Sequence, residues 1–170
     1  MKFAVRILFA TILVAGMAAC AKKTVKPEQQ ESAPPVAQTK PADTSGKYKV
    51  GDLDSDSCLR QRVVYFDLDQ TVIKSEFQAQ ISCHAAYLRQ FPNARVTLEG
   101  NADERGTREY NLGLGERRGN AVQSALSAAG ASYDQLTVVS YGEERPVDRG
   151  HDEAAWAKNR RVEIVYTSAN

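Results

Sequence analysis

The chain has 170 residues, 42% of them hydrophobic and 25% charged, with a formal net charge of +1 at pH 7. That is room for one modest globular domain plus extensions, and the balanced charge gives non-specific nucleic-acid binding no electrostatic support. It has two histidines and three cysteines, and no spacing of His, Cys and carboxylates fits a metal site, so neither a metal nor another cofactor is expected.

The chain opens with Lys2 and Arg6, an apolar run from Ile7 to Gly16, and then Met17-Ala18-Ala19-Cys20. A charged start, a short apolar core and small residues at the cut describe a signal peptide over residues 1–19. The run is well below the roughly 20 apolar residues of a membrane-spanning helix. The Ala18-Ala19-Cys20 stretch resembles a bacterial lipobox, with Met17 standing where Leu is commoner. The resemblance implies cleavage before Cys20 and diacylglycerylation of its thiol, usually with N-acylation; a plain secretory signal is the alternative. Several acyl chains anchor stably where one alone is marginal. Ala21, in place of Asp, implies the outer membrane by the sorting rule of enterobacterial lipoproteins.

Residues 20–57 are expected to form the lipidated N-terminus and a flexible linker, rich in Lys, Gln, Ser, Thr and Pro and poor in large apolar residues. Six Lys and six acidic residues between Ala21 and Ser57 leave it neutral. A flexible chain of this length averages roughly 35 Å end to end and reaches roughly 120 Å extended. Such a span lets an anchored domain reach something away from its membrane.

Residues 58–170 are expected to be the folded domain. Val63 to Phe66 is a short apolar, β-branched and aromatic run, the first strand. Ser75 to Phe91 has helical periodicity and stops at Pro92. Arg95 to Gly100 alternates as a strand, residues 107–129 form a long helix ending at Gly130, and Leu136 to Tyr141 is a third strand. A short helix from His151 to about Lys158 and a strand from Arg161 to Thr167 complete the order β-α-β-α-β-α-β. The fold class is therefore α/β, an α+β sandwich built on one mixed four-stranded sheet with helices on one or both faces. Cys83 falls opposite the helical stripe of Phe77, Ile81, Ala85 and Leu88. In an oxidising compartment a Cys58–Cys83 disulfide is expected, free thiols being the alternative.

The long helix carries a charge where an apolar residue belongs. At 100° per residue, Tyr110, Leu114, Ala121, Val122, Ala125 and Ala129 share one face, with Arg118 in its middle and Arg117 at its edge. A buried guanidinium stays charged and needs an acidic partner. Asp103, on the loop leading into the helix, either pairs with Arg118 inside the fold or converges with it on a zwitterionic ligand.

Two family resemblances compete for the rest of the sequence. Val63 to Thr71 reads VVYFDLDQT, similar to the D-x-D-x-T of haloacid-dehalogenase phosphatases, which would make Asp67 the nucleophile and Asp69 the acid/base. That family also needs a downstream Lys and a later acidic pair. Lys158 is the only Lys after Lys74, Glu143-Glu144 is a weak substitute for the pair, and only about 100 residues follow Asp67. The stronger resemblance covers nearly the whole domain in order: VYFDLD, LEGNADERGTREYNLGLGERRGNAV, VVSYGEERP and GHDEAAWAKNRRVEIVY. These stretches resemble the OmpA-like peptidoglycan-binding domains, and within them the peptidoglycan-associated lipoproteins.

That resemblance implies a non-enzymatic protein that binds meso-diaminopimelate of the peptidoglycan stem peptide without a covalent bond. Asp103 and Arg118 become the central contacts, with Asp69, Arg105 and Leu114 secondary; a turn cap for Asp69 and a solvated charge for Arg105 are the plainer alternatives. Asn159, Arg160 and Arg161 are read as structural, His84 as a satisfied near-core histidine and His151 as shaping the start of the last helix. The resemblance further implies an outer-membrane, periplasm-facing tether that binds a TolB-like protein and serves the Tol–Pal system in envelope integrity and cell division. A wall-binding module of a secretion or motility machine is the alternative.

Overall fold

The computed structural model describes residues 47–170. The expected signal peptide, Cys20 and most of the expected linker lie outside the described residues. Four strands form one mixed sheet: β1 (Val63–Tyr65), β2 (Arg95–Asn101), β3 (Leu136–Gly142) and β4 (Arg161–Ser168). Their order is β1-β4-β2-β3; β4 runs antiparallel to both neighbours and β2 pairs parallel with β3. A parallel pair needs a crossover, and α3 (Arg108–Ala128) supplies it. Helix α2 (Gln78–Gln90), preceded by a 3₁₀ turn at Ser75–Phe77, joins β1 to β2, and α4 (Glu153–Asn159) joins β3 to β4.

The core lies between one face of the sheet and the pair α2/α3. Val64, Val96, Leu98, Val162 and Ile164 point inward from the strands and share one apolar cluster with Ile81, Ala85 and Leu88 of α2 and Val122 and Leu126 of α3. Burying each large aliphatic side chain contributes about 1.5–3 kcal/mol. Strand alternation turns Tyr65, Thr97, Glu99 and Glu163 to the other face. The layered fold is thus a two-layer α/β sandwich.

Helix α3 approaches the sheet through glycine. A Cβ at Gly115 would lie 2.8 Å from the carbonyl oxygen of Gly100, and one at Gly119 would lie 2.5 Å from Val138 Cγ1. The buried face is therefore Asn111, Leu114, Gly115, Arg118, Gly119, Val122 and Leu126. This corrects the expected face at its ends: Tyr110 is 45% exposed, and Ala125 and Ala129 are only partly buried. Periodicity counts apolar side chains, whereas close packing here selects the absence of one. Thr107 caps the helix, its side chain accepting from Tyr110 N at 3.2 Å, a contact worth about 1 kcal/mol.

Folded structure begins before residue 58. Helix α1 (Asp52–Ser55) and the residues leading to it belong to the domain. Leu53 is in the core, and so is Tyr48, whose ring meets Tyr87 at 6.0 Å and whose N–H donates to Gln90 Oε1 at 2.9 Å. Polar surroundings hid these two anchors. A disulfide joins Cys58 to Cys83, fastening this N-terminal segment to α2. Tyr87 also donates to the Ala169 carbonyl at 2.7 Å, so residues 47–58 meet the domain where β4 ends. The other end of β4 begins beside the site.

Candidate binding site

Two connections meet where β1 and β2 end and α3 begins. After β1 the chain turns at Asp69, whose φ of +56° lies in the left-handed region that Asp tolerates better than most side chains. After β2 comes Ala102 to Gly106, Gly106 taking φ +114° before the cap. Arg118 reaches up from the buried face of α3 to tie these connections together. Its Nε donates to Gln70 O at 2.9 Å, Nη1 to Asn101 O at 2.9 Å and Nη2 to Asp67 O at 3.1 Å.

Arg118 is wholly buried, the largest such side chain in the described structure. Burial pulls its pKa down to about 10, against the opposing pull of Asp103 nearby. It forms no ion pair with Asp103 within 4.0 Å among the described residues; the carboxylate belongs to two other arginines. Asp103 Oδ2 accepts from Arg105 Nη2 at 2.7 Å and from Arg160 Nη1 at 3.2 Å, and Oδ1 accepts from Arg105 Nε and the Arg105 N–H, both at 3.1 Å. Burial alone would raise the Asp103 carboxyl, but these hydrogen bonds outweigh it and hold it below the ordinary carboxylate range. The direct Asp103–Arg118 bridge is therefore replaced by two separately held charges.

A cleft of about 210 Å³ brings all five sequence-predicted residues together: Asp69, Asp103, Arg105, Leu114 and Arg118 line it, with Leu68, Tyr110 and Asn111. Two carboxylates and two guanidiniums face an apolar floor. Three of the five N–H groups of Arg118 are engaged by the three carbonyls. The volume is below the roughly 300–1,000 Å³ of drug-sized sites.

Three contributors were not read from the sequence as site residues. Arg160, taken as structural, is buried and structural in fact: Nε donates to Phe66 O at 3.0 Å and Nη2 to Glu153 Oε1 at 2.6 Å, while Nη1 orients Asp103. Asn111 is buried in the cleft wall. Its Nδ2 donates to Glu143, and its Oδ1 has no partner. The signal for it was present, a polar residue seven positions before Arg118 on the same helical face. Tyr110, assigned to the core, instead donates its hydroxyl to Asp69 at the rim, with Arg117 5.6 Å from its ring.

The loop carrying Asp103 is braced against α4. Arg105 stacks on Trp156 at 4.1 Å and pairs with Glu153 at 3.4 Å. Glu104 accepts from Trp156 Nε1 at 2.9 Å and contacts His151 Nδ1 at 2.7 Å, which raises the His151 pKa. His151 thus serves the loop, and Asp152 caps α4. Asn159 accepts from Val147 N and Asp148 N, and Arg161 holds Glu163, both structural. His84 lies wholly inside the core between Tyr166 OH and Gln61 O, each at 2.9 Å, its pKa lowered to about 4 by burial. The D-x-D-x-T carboxylates engage different partners and line different clefts, Asp67 pairing with Lys74 at 2.7 Å and Asp69 with Tyr110.

Residues 65–160, which include this cleft and most of the sheet, match the OmpA family. The chain belongs to the OmpA family, in its peptidoglycan-associated lipoprotein branch. It is 48% identical to a peptidoglycan-associated lipoprotein of Haemophilus influenzae over 74% of this chain and 79% of that one. The corresponding protein of Pseudomonas putida is 52% identical over 67% and 69%. Among solved structures, the peptidoglycan-associated lipoprotein of Burkholderia pseudomallei superposes with a TM-score of 0.66 at 48% identity, covering 67% of this chain and 98% of that chain. The C-terminal domain of Helicobacter pylori MotB shares the fold, with a TM-score of 0.57 at 22% identity over 62% of this chain and 84% of that one.

Proposed function

We propose that the cleft binds the meso-diaminopimelate residue of the peptidoglycan stem peptide, and that the chain is a non-enzymatic tether between outer membrane and cell wall. The observation that carries this is the pair of separately held charges. Arg118 offers two N–H groups from a desolvated position, and Asp103 stays ionised beside it. A carboxylate pairs with the first, and charge-assisted bonding to Arg fixes orientation as well as adding energy. The ligand ammonium is drawn to Asp103 and Asp69, while Leu68 and Leu114 take its aliphatic carbons. Peptidoglycan-associated lipoproteins as relatives favour the same ligand source.

In this reading Cys20 carries the lipid, residues 21–46 span the periplasm, and the domain grips the wall. The family likeness extends the proposal to a TolB-like periplasmic partner and the Tol–Pal system in envelope integrity and division. The test is calorimetry of the full chain with the tripeptide L-alanyl-γ-D-glutamyl-meso-diaminopimelate and its L-lysine counterpart, which lacks one carboxylate. Binding of the first and loss of at least tenfold in affinity for the second is expected, about 1.4 kcal/mol for the missing pair. Equal affinities would remove Arg118 from the contact. Co-purification of a TolB-like protein tests the partnership, and its absence from gently solubilised envelopes would count against it.

A further inference from the structure

A second cleft, of about 300 Å³, opens between the β1–α2 connection and the C-terminal end of α4. The diaminopimelate contact makes no use of it. Tyr65 supplies its exposed aromatic face; around it stand Asp67, Lys74, Lys158 and Arg160. Val64 and Phe66 are buried, so strand alternation sends Tyr65 outward, where it stays 38% exposed. Its ring is braced by Phe77 at 6.3 Å. A fixed aromatic face at the rim of a polar cleft is a contact surface rather than part of the core.

The polar groups around this ring are held loosely. Lys74 pairs with Asp67 and Lys158 with Asp148, each at 2.7 Å, and in each pair both side chains are at least one-third exposed. Such pairs contribute about 0–1 kcal/mol, so a ligand hydroxyl or amide can redirect them at little cost. Arg160, by contrast, is saturated by Phe66 O, Asp103 and Glu153. It forms a shared wall, lining this cleft while orienting the carboxylate of the other. The two clefts are also joined through the chain, since Asp67 lines one and Asp69 the other.

We propose that this second cleft seats a pyranose ring of the peptidoglycan glycan strand, its C–H face on Tyr65 and its polar edge on Asp67, Lys74 and Lys158. The inference rests on the reading of the first cleft as a diaminopimelate site. A second carboxylate would need only cations, and Asp67 would repel it; a sugar uses the acceptor, the donors and the flat ring together. The two sites are also neighbours in the chain: Asp67 and Asp69, one lining each cleft, are two residues apart, at most about 7 Å between Cα atoms.

The experiment compares two ligands on the full chain by calorimetry: the stem tripeptide alone, and the same tripeptide carrying its N-acetylglucosaminyl-N-acetylmuramyl disaccharide. The disaccharide form is expected to bind about threefold to tenfold more tightly, the increment of one aromatic contact. Tyr65→Ala and Lys158→Ala should reduce that increment without changing tripeptide affinity, and Tyr65→Phe should keep it. Equal binding of the two ligands by the wild type overturns the sugar site and leaves the diaminopimelate site standing. Equal losses for both ligands in Tyr65→Ala, with Lys158→Ala unchanged, also overturn it. Failure of the wild type to bind either ligand refutes both readings.

Discussion

Replacing Arg118 with Met separates its structural role from ligand binding. The guanidinium donates to three backbone carbonyls, Gln70 and Asp67 on the β1–α2 connection and Asn101 at the end of β2, at 2.9, 3.1 and 2.9 Å. Hydrogen bonds to a charged group are worth about 1.5–3 kcal/mol each, a gross gain of roughly 6 kcal/mol. Against this stands the cost of burying the cation. Burial draws its pKa down from the ordinary guanidinium range to about 10, which corresponds to roughly 3 kcal/mol. Met fills most of the volume but leaves the carbonyls of Asp67, Asn101 and Gln70 without their donor, the Asn101 bond being fully buried. The net expectation is a loss of about 3–4 kcal/mol, in line with removing one partner from a buried charged contact. Urea unfolding followed by far-UV circular dichroism measures it directly. A midpoint within 1 kcal/mol of wild type, at unchanged slope, would refute the stapling argument.

Three further outcomes follow from the same geometry. His84 titrates near 4 when folded and near 6.5 when unfolded, so the unfolded chain binds the extra proton between those values. Stability should fall by up to about 3 kcal/mol as pH drops from 6.5 to 4, and His84→Gln should flatten that slope in urea melts; an identical slope would exclude His84 as its source. The His151 pKa is raised by Glu104, so their contact is complete below pH 6.5 and is lost as pH rises through the folded-state value. The sole tryptophan, Trp156, donates to the same Glu104, and its fluorescence should titrate above pH 6.5 in wild type but not in His151→Ala. The Cys58–Cys83 disulfide spans 25 positions, which gives a loop-closure stabilisation of roughly 3–4 kcal/mol. Thermal melts with and without reductant should differ accordingly, and coincident melts would mean that packing at Tyr48 and Leu53 alone secures the segment.

Strand and helix positions were legible because hydrophobic period and Gly/Pro stops agree throughout the domain. Leu114, Val122 and Arg118 on one helical face pointed to the buried stripe, and the misplaced charge pointed to the cleft. What the sequence hid was of two kinds. Residues 47–57 read as linker because Tyr48 and Leu53 are isolated among polar neighbours, and two anchors make no period. The partners of Asp103 were hidden because Arg105 is two residues away and Arg160 fifty-seven, and no spacing rule chooses between them and Arg118. The missed packing of α3 has a simple signature in retrospect. Gly115 and Gly119, four residues apart, mark the face that touches the sheet.

The placement of the two ends of β4 has a mechanical consequence. Residue 47 enters beside Tyr87 and Ala169, where β4 finishes, and the cleft opens beside Arg160, where β4 begins. In the tether proposed above, a pull between the membrane anchor and the wall-bound ligand would run along the strands. Such a pull would load the β1–β4 and β2–β4 ladders in shear, so that their hydrogen bonds would have to yield together rather than one after another. The disulfide offers a second route for that tension, from Cys58 directly into α2. A sheet strained this way holds best in the direction in which a tether is pulled.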